Sequence, residues 1–260
     1  MAFALITGAS KGIGKALAWE LAARNYNLLL VSRSEHLLKE VAAAIKQKHP
    51  VSVDTFSIDL SGADAALKIK NWCLSNHYNV SVLVNNAGYG LWGDFEKISL
   101  EDQMNMMTLN MQSVVRLTYE MLPILRKESA AFILNVSSTA AYQAVPTLSI
   151  YAATKSFVLL FTRGLRHELI NSTVSVTCLS PGATSTEFMD RAGMESSLKE
   201  KAKKFEMSAE AVAKIAVRGM LARRAEIIPG FTNYLSAQLA SMVPKKLTET
   251  IAAGLYKTKK

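Results

Sequence analysis

Tyr151 and Lys155 stand four residues apart in a stretch of helical spacing, so both side chains face the same side of one helix. A free tyrosine has a pKa near about 10 and is a poor base at neutral pH. A cation fixed beside it stabilises the phenolate and lowers that value, so the pair can pass a proton to or from an oxygen. Alone, the spacing equally describes a half-buried Tyr and a solvated Lys on an amphipathic helix. A second constellation tips the reading. Thr7-Gly8-Ala9-Ser10-Lys11-Gly12-Ile13-Gly14 joins an apolar strand pattern to a helical one. Its glycines let the backbone turn sharply and approach a pyrophosphate, and the helix N-terminus behind them offers free N–H groups and partial positive charge. Together the two groups suit proton transfer beside a bound dinucleotide, as moving a hydride to or from a carbonyl requires.

The elements that must position these groups alternate along the chain. Strand patterns run over Phe3 to Thr7, Asn27 to Ser32, Val51 to Ile58, Val80 to Asn85, Ala130 to Val136, Thr173 to Leu179 and Glu226 to Pro229. Helical patterns run over Ile13 to Arg24, Ser34 to Lys46, Ser61 to His77, Ser99 to Arg126, Ile150 to Ile170 and Ser208 to Arg224. Ser34, Ser61 and Ser99 are expected caps, Glu101 and Asp102 suit the first turn of the long helix, and Pro123 is expected to kink or fray its end. Continuous apolar strands, each followed by a helix, imply a doubly wound parallel sheet, an α/β Rossmann-like fold of about seven strands with helices on both faces. Residues 1–260 read as one domain. Such a sheet binds its ligand outside the carboxyl ends of the strands, where both constellations fall.

The glycine spacing is Gly-x-x-x-Gly-x-Gly, and here the sequence resembles the short-chain dehydrogenase/reductase family. Further matches follow in that family's order: Asn85-Asn86-Ala87-Gly88, Asn110, Ser138, Tyr-x-x-x-Lys at Tyr151 and Lys155, and Pro181-Gly182. The resemblance covers residues 1 to about 230. It implies that Tyr151 gives or takes the proton, that Lys155 binds the nicotinamide ribose and tunes Tyr151, and that Ser138 hydrogen-bonds the substrate oxygen. The family's Ser stands thirteen places before the Tyr, which selects Ser138 over Ser137. Asn110 would hold a water linking Lys155 to solvent; it also reads as a polar residue that bends a helix.

The same resemblance implies a cofactor site of Gly8, Ser10, Lys11, Gly12, Ile13, Gly14, Asp59, Leu60, Asn86, Ala87, Gly88, Tyr151, Lys155, Pro181, Gly182, Thr184 and Thr186, with Asp59-Leu60 beside the adenine. An NAD enzyme of this design carries an acid after the second strand. This chain reads Val31-Ser32-Arg33 there, and Arg33 suits a 2′-phosphate. Family members with basic residues at the places of Lys11 and Arg33 prefer NADP(H), so NADP(H) is the expected cofactor. The implied activity is carbonyl reductase or alcohol dehydrogenase. The alternative is a non-catalytic NADP(H)-binding regulator on the same fold.

Expected pocket walls are Tyr89, Leu91 and Trp92, then Tyr142, Val145 and Leu148, then Phe188, Met189 and Met194. This apolar lining suits a lipophilic ketone or aldehyde. No Arg or Lys stands at these places to select a carboxylate. Residues 186–206 read as a lid and 231–260 as a basic helical extension. The net charge is +9, and residues 199–260 hold 13 basic against five acidic side chains. Contact of that tail with a membrane surface and packing onto the core or across a subunit interface are all compatible with this, packing being preferred; a homodimer or homotetramer is expected from the resemblance. Nucleic acid is not expected, since aromatic and basic residues are not interleaved. The start of the chain shows no signal-peptide pattern, no apolar run reaches the roughly 20 residues of a membrane span, and Cys73 and Cys178 have no motif spacing. A cytoplasmic protein without a metal site is expected.

Overall fold

The computed structural model of the chain describes residues 2–203 and 205–256. Its main sheet joins β1 (Phe3–Thr7), β2 (Asn27–Ser32), β3 (Val53–Ser57), β4 (Val80–Asn85), β5 (Ala131–Val136), β6 (Val174–Leu179) and β9 (Glu226–Ile227), all parallel, in the order β3-β2-β1-β4-β5-β6-β9. Strand order reverses between β1 and β4, so a crevice opens at their carboxyl ends. The strands sort their side chains with period two: Ala4, Ile6, Leu28 and Leu30 enter one core, and Leu5, Leu29 and Val31 the other. Helices α1 (Gly12–Ala22), α2 (Glu35–Lys48) and α9 (Ala209–Leu221) supply Leu17, Leu21, Leu38, Ile45, Val217 and Met220 to the first core. Helices α3 (Ala65–Ser75), α5 (Ser113–Leu125) and α6 (Ser149–Glu168) close the second, through Ile69, Cys73, Leu117, Met121 and Leu165. The doubly wound parallel sheet expected from the apolar runs is the fold.

Several boundaries differ from the sequence reading, for local reasons. Ser61 does not cap a helix: the Asp59 carboxylate accepts from its N–H, the chain turns, and α3 begins at Ala65. Ser34 precedes α2 without a side-chain capping bond. Ser99 caps α4 (Leu100–Met107), accepting from the Asp102 N–H. Between α4 and α5 the expected long helix contains a π turn, Thr108–Gln112, and Pro123 is carried inside the last turn of α5 without ending it.

The 186–206 segment is more ordered than its sequence suggests. It contains α7 (Phe188–Arg191) and α8 (Ser196–Lys203). Its two ends are pinned together by a short parallel ladder of β7 (Thr184–Ser185) and β8 (Met207–Ser208). The basic extension forms α10 (Phe231–Met242) and α11 (Lys245–Tyr256); residues 257–260 lie outside the described part of the chain.

Candidate active site

The crevice is built by side chains that tie β1 to β4. Buried Thr7 donates from Oγ1 to the Val84 carbonyl and accepts from the Asn86 and Ala87 N–H groups. Asn86 donates from Nδ2 to the carbonyls of Thr7 and Gly8. The glycine loop is therefore held by β4 rather than left as a free turn. Gly8 and Gly12 adopt φ of +64° and +53°, a region that L side chains avoid. Gly14 sits so close that a Cβ there would lie 2.2 Å from the Gly8 carbonyl oxygen. Helix α1 consequently starts against the loop, and Gly12 and Ile13 open into the cavity with the helix N-terminus behind them.

The two expected phosphate cations stand at the mouth of this crevice. Lys11 pairs with Glu187 of the lid at 2.5 Å, and Arg33 with Asp59 at 3.7 Å. All four side chains are largely exposed, and such pairs are worth at most about 1 kcal/mol in water. They leave both cations accessible to a dianion. Arg191 of α7 adds a third cation, which the sequence reading missed. It lies over the Tyr89 ring at 4.4 Å, lines the same cavity and shares the electrostatic neighbourhood of Arg33 and Asp59. A spacing argument has no way to find it, because the lid carries too little periodicity to place its side chains.

Deeper in, α6 presents Tyr151 and Lys155. Lys155 is 6 % exposed, donates from Nζ to the Val136 carbonyl at 2.9 Å, and lies 5.8 Å from the centre of the Tyr151 ring. Burial pushes its pKa down to about 8, with a smaller opposing effect from Cys178. The geometry also separates the two adjacent serines. Both border the cavity, but Ser137 is buried and its Oγ donates to the Lys155 carbonyl, whereas Ser138 is only partly covered and its Oγ accepts from the Ala140 N–H. Asn110 lies on the π turn with its side chain fully engaged: Oδ1 accepts from the Tyr89 N–H, and Nδ2 donates to the Tyr89 carbonyl and to Thr154 Oγ1. It binds the loop after β4 to α6. Behind it runs a buried relay of which only Asn85 belongs to a sequence motif. Asn85 donates to Thr118 and Asn135, and Asn135 donates to Thr162, which fastens α5, β4, β5 and α6 together at the level of the site.

One cavity of about 810 Å³ takes in both constellations. Of the sequence-predicted cofactor residues, Gly8, Ser10, Lys11, Gly12, Ile13, Arg33, Asp59, Leu60, Asn86, Ala87, Gly88, Tyr151, Lys155, Pro181, Gly182, Thr184 and Thr186 line it. Gly14 does not; it serves the close packing just described. Of the predicted pocket walls, Val145, Leu148, Phe188, Met189 and Met194 line the cavity. Tyr89, Leu91, Trp92 and Tyr142 do not, and the expectation is corrected for them. Tyr89, Leu91 and Trp92 pack behind the wall with Val145, Leu148 and Tyr151. Tyr142 turns away, its hydroxyl held by Ser180 and Glu226. Among the walls found only in the structure are Leu198, Ala202 and Phe205 from the lid side and Asn233, Ser236, Ala237 and Ala240 from α10.

A doubly wound sheet with a glycine turn at its switch point and a Tyr–Lys pair facing that turn defines a Rossmann-like dinucleotide-binding class. The chain belongs to the short chain dehydrogenase family, whose model matches residues 2–197. It is 36% identical over 189 residues to very-long-chain 3-oxoacyl-CoA reductase-B of Danio rerio, covering 71% of this chain and 60% of that protein. It is 33% identical over 186 residues to an NADP-dependent 3-hydroxy acid dehydrogenase of Schizosaccharomyces pombe, covering 71% of this chain and 72% of that one. A solved short-chain dehydrogenase from Sphingobium yanoikuyae in complex with NADPH superposes with a TM-score of 0.81 at 29% identity, covering 94% of this chain and 97% of that one. The matched region thus spans about three fifths of the very-long-chain reductase.

Proposed function

We propose that the chain is an NADP(H)-dependent oxidoreductase acting between a carbonyl and an alcohol, with a lipophilic ketone or aldehyde as substrate. The observation that carries this is that Ser138, Tyr151 and Lys155 share one cavity with the glycine loop, Lys11 and Arg33. The residues fit NADP(H): a glycine cradle under a helix N-terminus, two exposed cations beyond β1 and β2, and no acid directly after β2. When bound, the nicotinamide supplies or accepts the hydride. Tyr151 delivers a proton from its hydroxyl to the substrate oxygen during reduction and takes one during oxidation. Ser138 donates a hydrogen bond to that oxygen, where charge develops. Lys155 holds the ribose, and its charge stabilises the Tyr151 phenolate that remains. Asn110 ties the loop at Tyr89 to α6 and so positions both.

The lining supports the substrate class. Beyond Tyr151 the cavity is walled by Val145, Leu148, Phe188, Met194, Leu198 and Ala237, an apolar branch suited to an acyl chain. The printed names of the two relatives above, a 3-oxoacyl-CoA reductase and a 3-hydroxy acid dehydrogenase, favour a 3-oxoacyl compound as the first to test. Residues 186–206 act as the lid over this branch, hinged at the β7–β8 ladder. Two buried free thiols, Cys73 and Cys178, both pushed up to about 12, suit a reducing compartment such as the cytoplasm. Exposed Tyr119 and Leu160 on α5 and α6 favour pairing of subunits through those helices. The deciding experiment is Tyr151→Phe: NADPH binding is retained and turnover over a panel of acyl, steroid and aromatic ketones is lost. Undiminished ketone reduction by that variant refutes the assignment, and NADPH binding without turnover by the unaltered protein favours the regulator.

A further inference from the structure

Helix α7 is a single turn laid across the crevice. The Arg191 N–H donates to the Glu187 carbonyl at 3.0 Å, so the two side chains issue from the same side of that turn. They reach opposite walls. Glu187 pairs with Lys11 of the glycine loop beyond β1, and the Arg191 guanidinium lies 4.4 Å from the centre of the Tyr89 ring in the loop after β4. A Glu and an Arg in this order, four residues apart, ordinarily pair with each other. Here Glu187 goes to Lys11 instead. Arg191 is left without a carboxylate partner among the described residues, whereas Lys11, Arg33 and Lys199 each have one.

The setting of Arg191 calls for an anion. Contact through the face of the Tyr89 ring is worth about 0.5–1 kcal/mol at an exposed site and uses none of the five N–H donors of the guanidinium. Arg191 lines the same cavity as Lys11 and Arg33. Burial first, and then the like charge of Arg33, hold its pKa below the ordinary value, while Tyr89 and Asp59 act in the opposite direction. Cations from the glycine loop, from the residue after β2 and from the lid thus face one opening. Glu187 and Asp59 answer two of them, and the charge of Arg191 is left uncompensated. The planar fork of an arginine matches the oxygens of a phosphate.

We propose that Arg191 is a specificity-determining residue for the cofactor: together with Arg33 it grips the 2′-phosphate, and it thereby ties the lid to the phosphorylated dinucleotide. The proposal rests on the reading that Lys11 and Arg33 mark the 2′-phosphate site and needs nothing from the hydride-transfer chemistry. Its consequence is that cofactor identity is read by a part of the chain that also covers the substrate branch. NADPH orders segment 186–206, and NADH, which lacks the phosphate, does so less.

The test is cofactor binding to the full chain without substrate, read by fluorescence titration with NADPH and with NADH, together with hydrogen exchange of the amides in 186–206. Arg191→Gln should raise the Kd for NADPH about tenfold, the loss of one charge-assisted contact, and leave NADH binding unchanged. Arg191→Lys keeps the charge without the fork and should fall between the two. In the parent, NADPH slows exchange across the lid more than NADH does; in Arg191→Gln the two cofactors protect it equally. Unchanged NADPH affinity in Arg191→Gln overturns the inference. So does an equal loss for both cofactors, which assigns Arg191 to the pyrophosphate. If Arg33→Ala abolishes the preference for NADPH and Arg191→Gln does not, the 2′-phosphate site stands and the inference alone fails. A parent that binds NADH as tightly as NADPH overturns that site, and the role of Arg191 with it.

Discussion

Lys155 is held in the site against its own preference, and removing its charge should therefore stabilise the fold. Its pKa is pushed from the ordinary 10.5 down to about 8 by burial. That difference corresponds to roughly 3 kcal/mol of penalty for keeping the ammonium charged at neutral pH. Lys155→Met keeps the apolar stem and deletes the charge. It also deletes the bond from Nζ to the Val136 carbonyl, at a cost of about 1 kcal/mol. The ligand-free variant should then be about 2 kcal/mol more stable than the parent at pH 7, while losing turnover. The sign of the pH dependence follows from the direction of the shift. Below about 8 the parent carries the full penalty; between about 8 and 10.5 its folded state sheds the proton before the unfolded chain does, and the penalty disappears. The stability gap should fall by roughly 3 kcal/mol over that interval and change sign, leaving the variant about 1 kcal/mol less stable than the parent above pH 10.5. Urea unfolding of both proteins at matched pH values measures the gap directly, since the other titrating groups cancel. A gap that does not change with pH, or a variant less stable at pH 7, refutes the reasoning.

Two further substitutions probe the cofactor crevice. Gly14→Ala places a Cβ 2.2 Å from the Gly8 carbonyl oxygen and 2.4 Å from Asn86 Nδ2; it should cost about 2 kcal/mol in urea unfolding and weaken NADPH binding at least about tenfold. Gly164→Ala, with nothing within 4 Å of its Cβ, is the control and should be neutral or stabilising; equal behaviour of the two variants would remove close packing from the account of the loop. Arg33→Ala should weaken NADPH binding by about tenfold or more and leave NADH binding unchanged, as read by fluorescence titration with each cofactor; an unchanged preference removes Arg33 from phosphate recognition.

The sheet was legible because its strands are short apolar runs buried on both faces, and β4 through β6 read as such without any tertiary information. The residues facing the crevice were legible because glycine geometry and the Tyr–Lys spacing carry their own physical reasons. Other parts have no local signature. The π turn at Thr108–Gln112 reads as ordinary helix, since its distinction lies in which carbonyl each N–H finds. Ladder β7–β8 is two residues long on each side, too short for a periodic pattern. Tyr142 was misassigned to the pocket because an aromatic between Ser138 and Tyr151 looks like a wall. Its actual partner, Glu226, lies 84 residues away on an edge strand. Arg191 and the α10 wall depend on how the lid and the extension fold back, which is a tertiary fact.

What the crevice shares is local cost. Lys155 is a buried charge, Gly8 and Gly12 take left-handed backbone, and Gly14 permits an approach no other residue allows. Thr147, a β-branched residue, adopts φ of 66° while its carbonyl accepts from the Gly93 N–H, a conformation that costs about 1–2 kcal/mol. All lie near the carboxyl ends of the strands or in the loops leading from them to the cavity, and none lies within the two apolar cores. Such features persist only where neighbours over-determine them. Here the neighbours are explicit: Thr7 and Asn86 hold the glycine loop, Ser137 holds the Lys155 main chain, and Asn110 holds the loop after β4. A protein that merely needed to fold would gain by relaxing every one of these positions. Left-handed backbone also occurs at Asn25, His77 and Arg223, in the turns after α1, α3 and α9, so strain alone does not mark the site; the buried Lys155 charge and the glycine cradle facing the same cavity do.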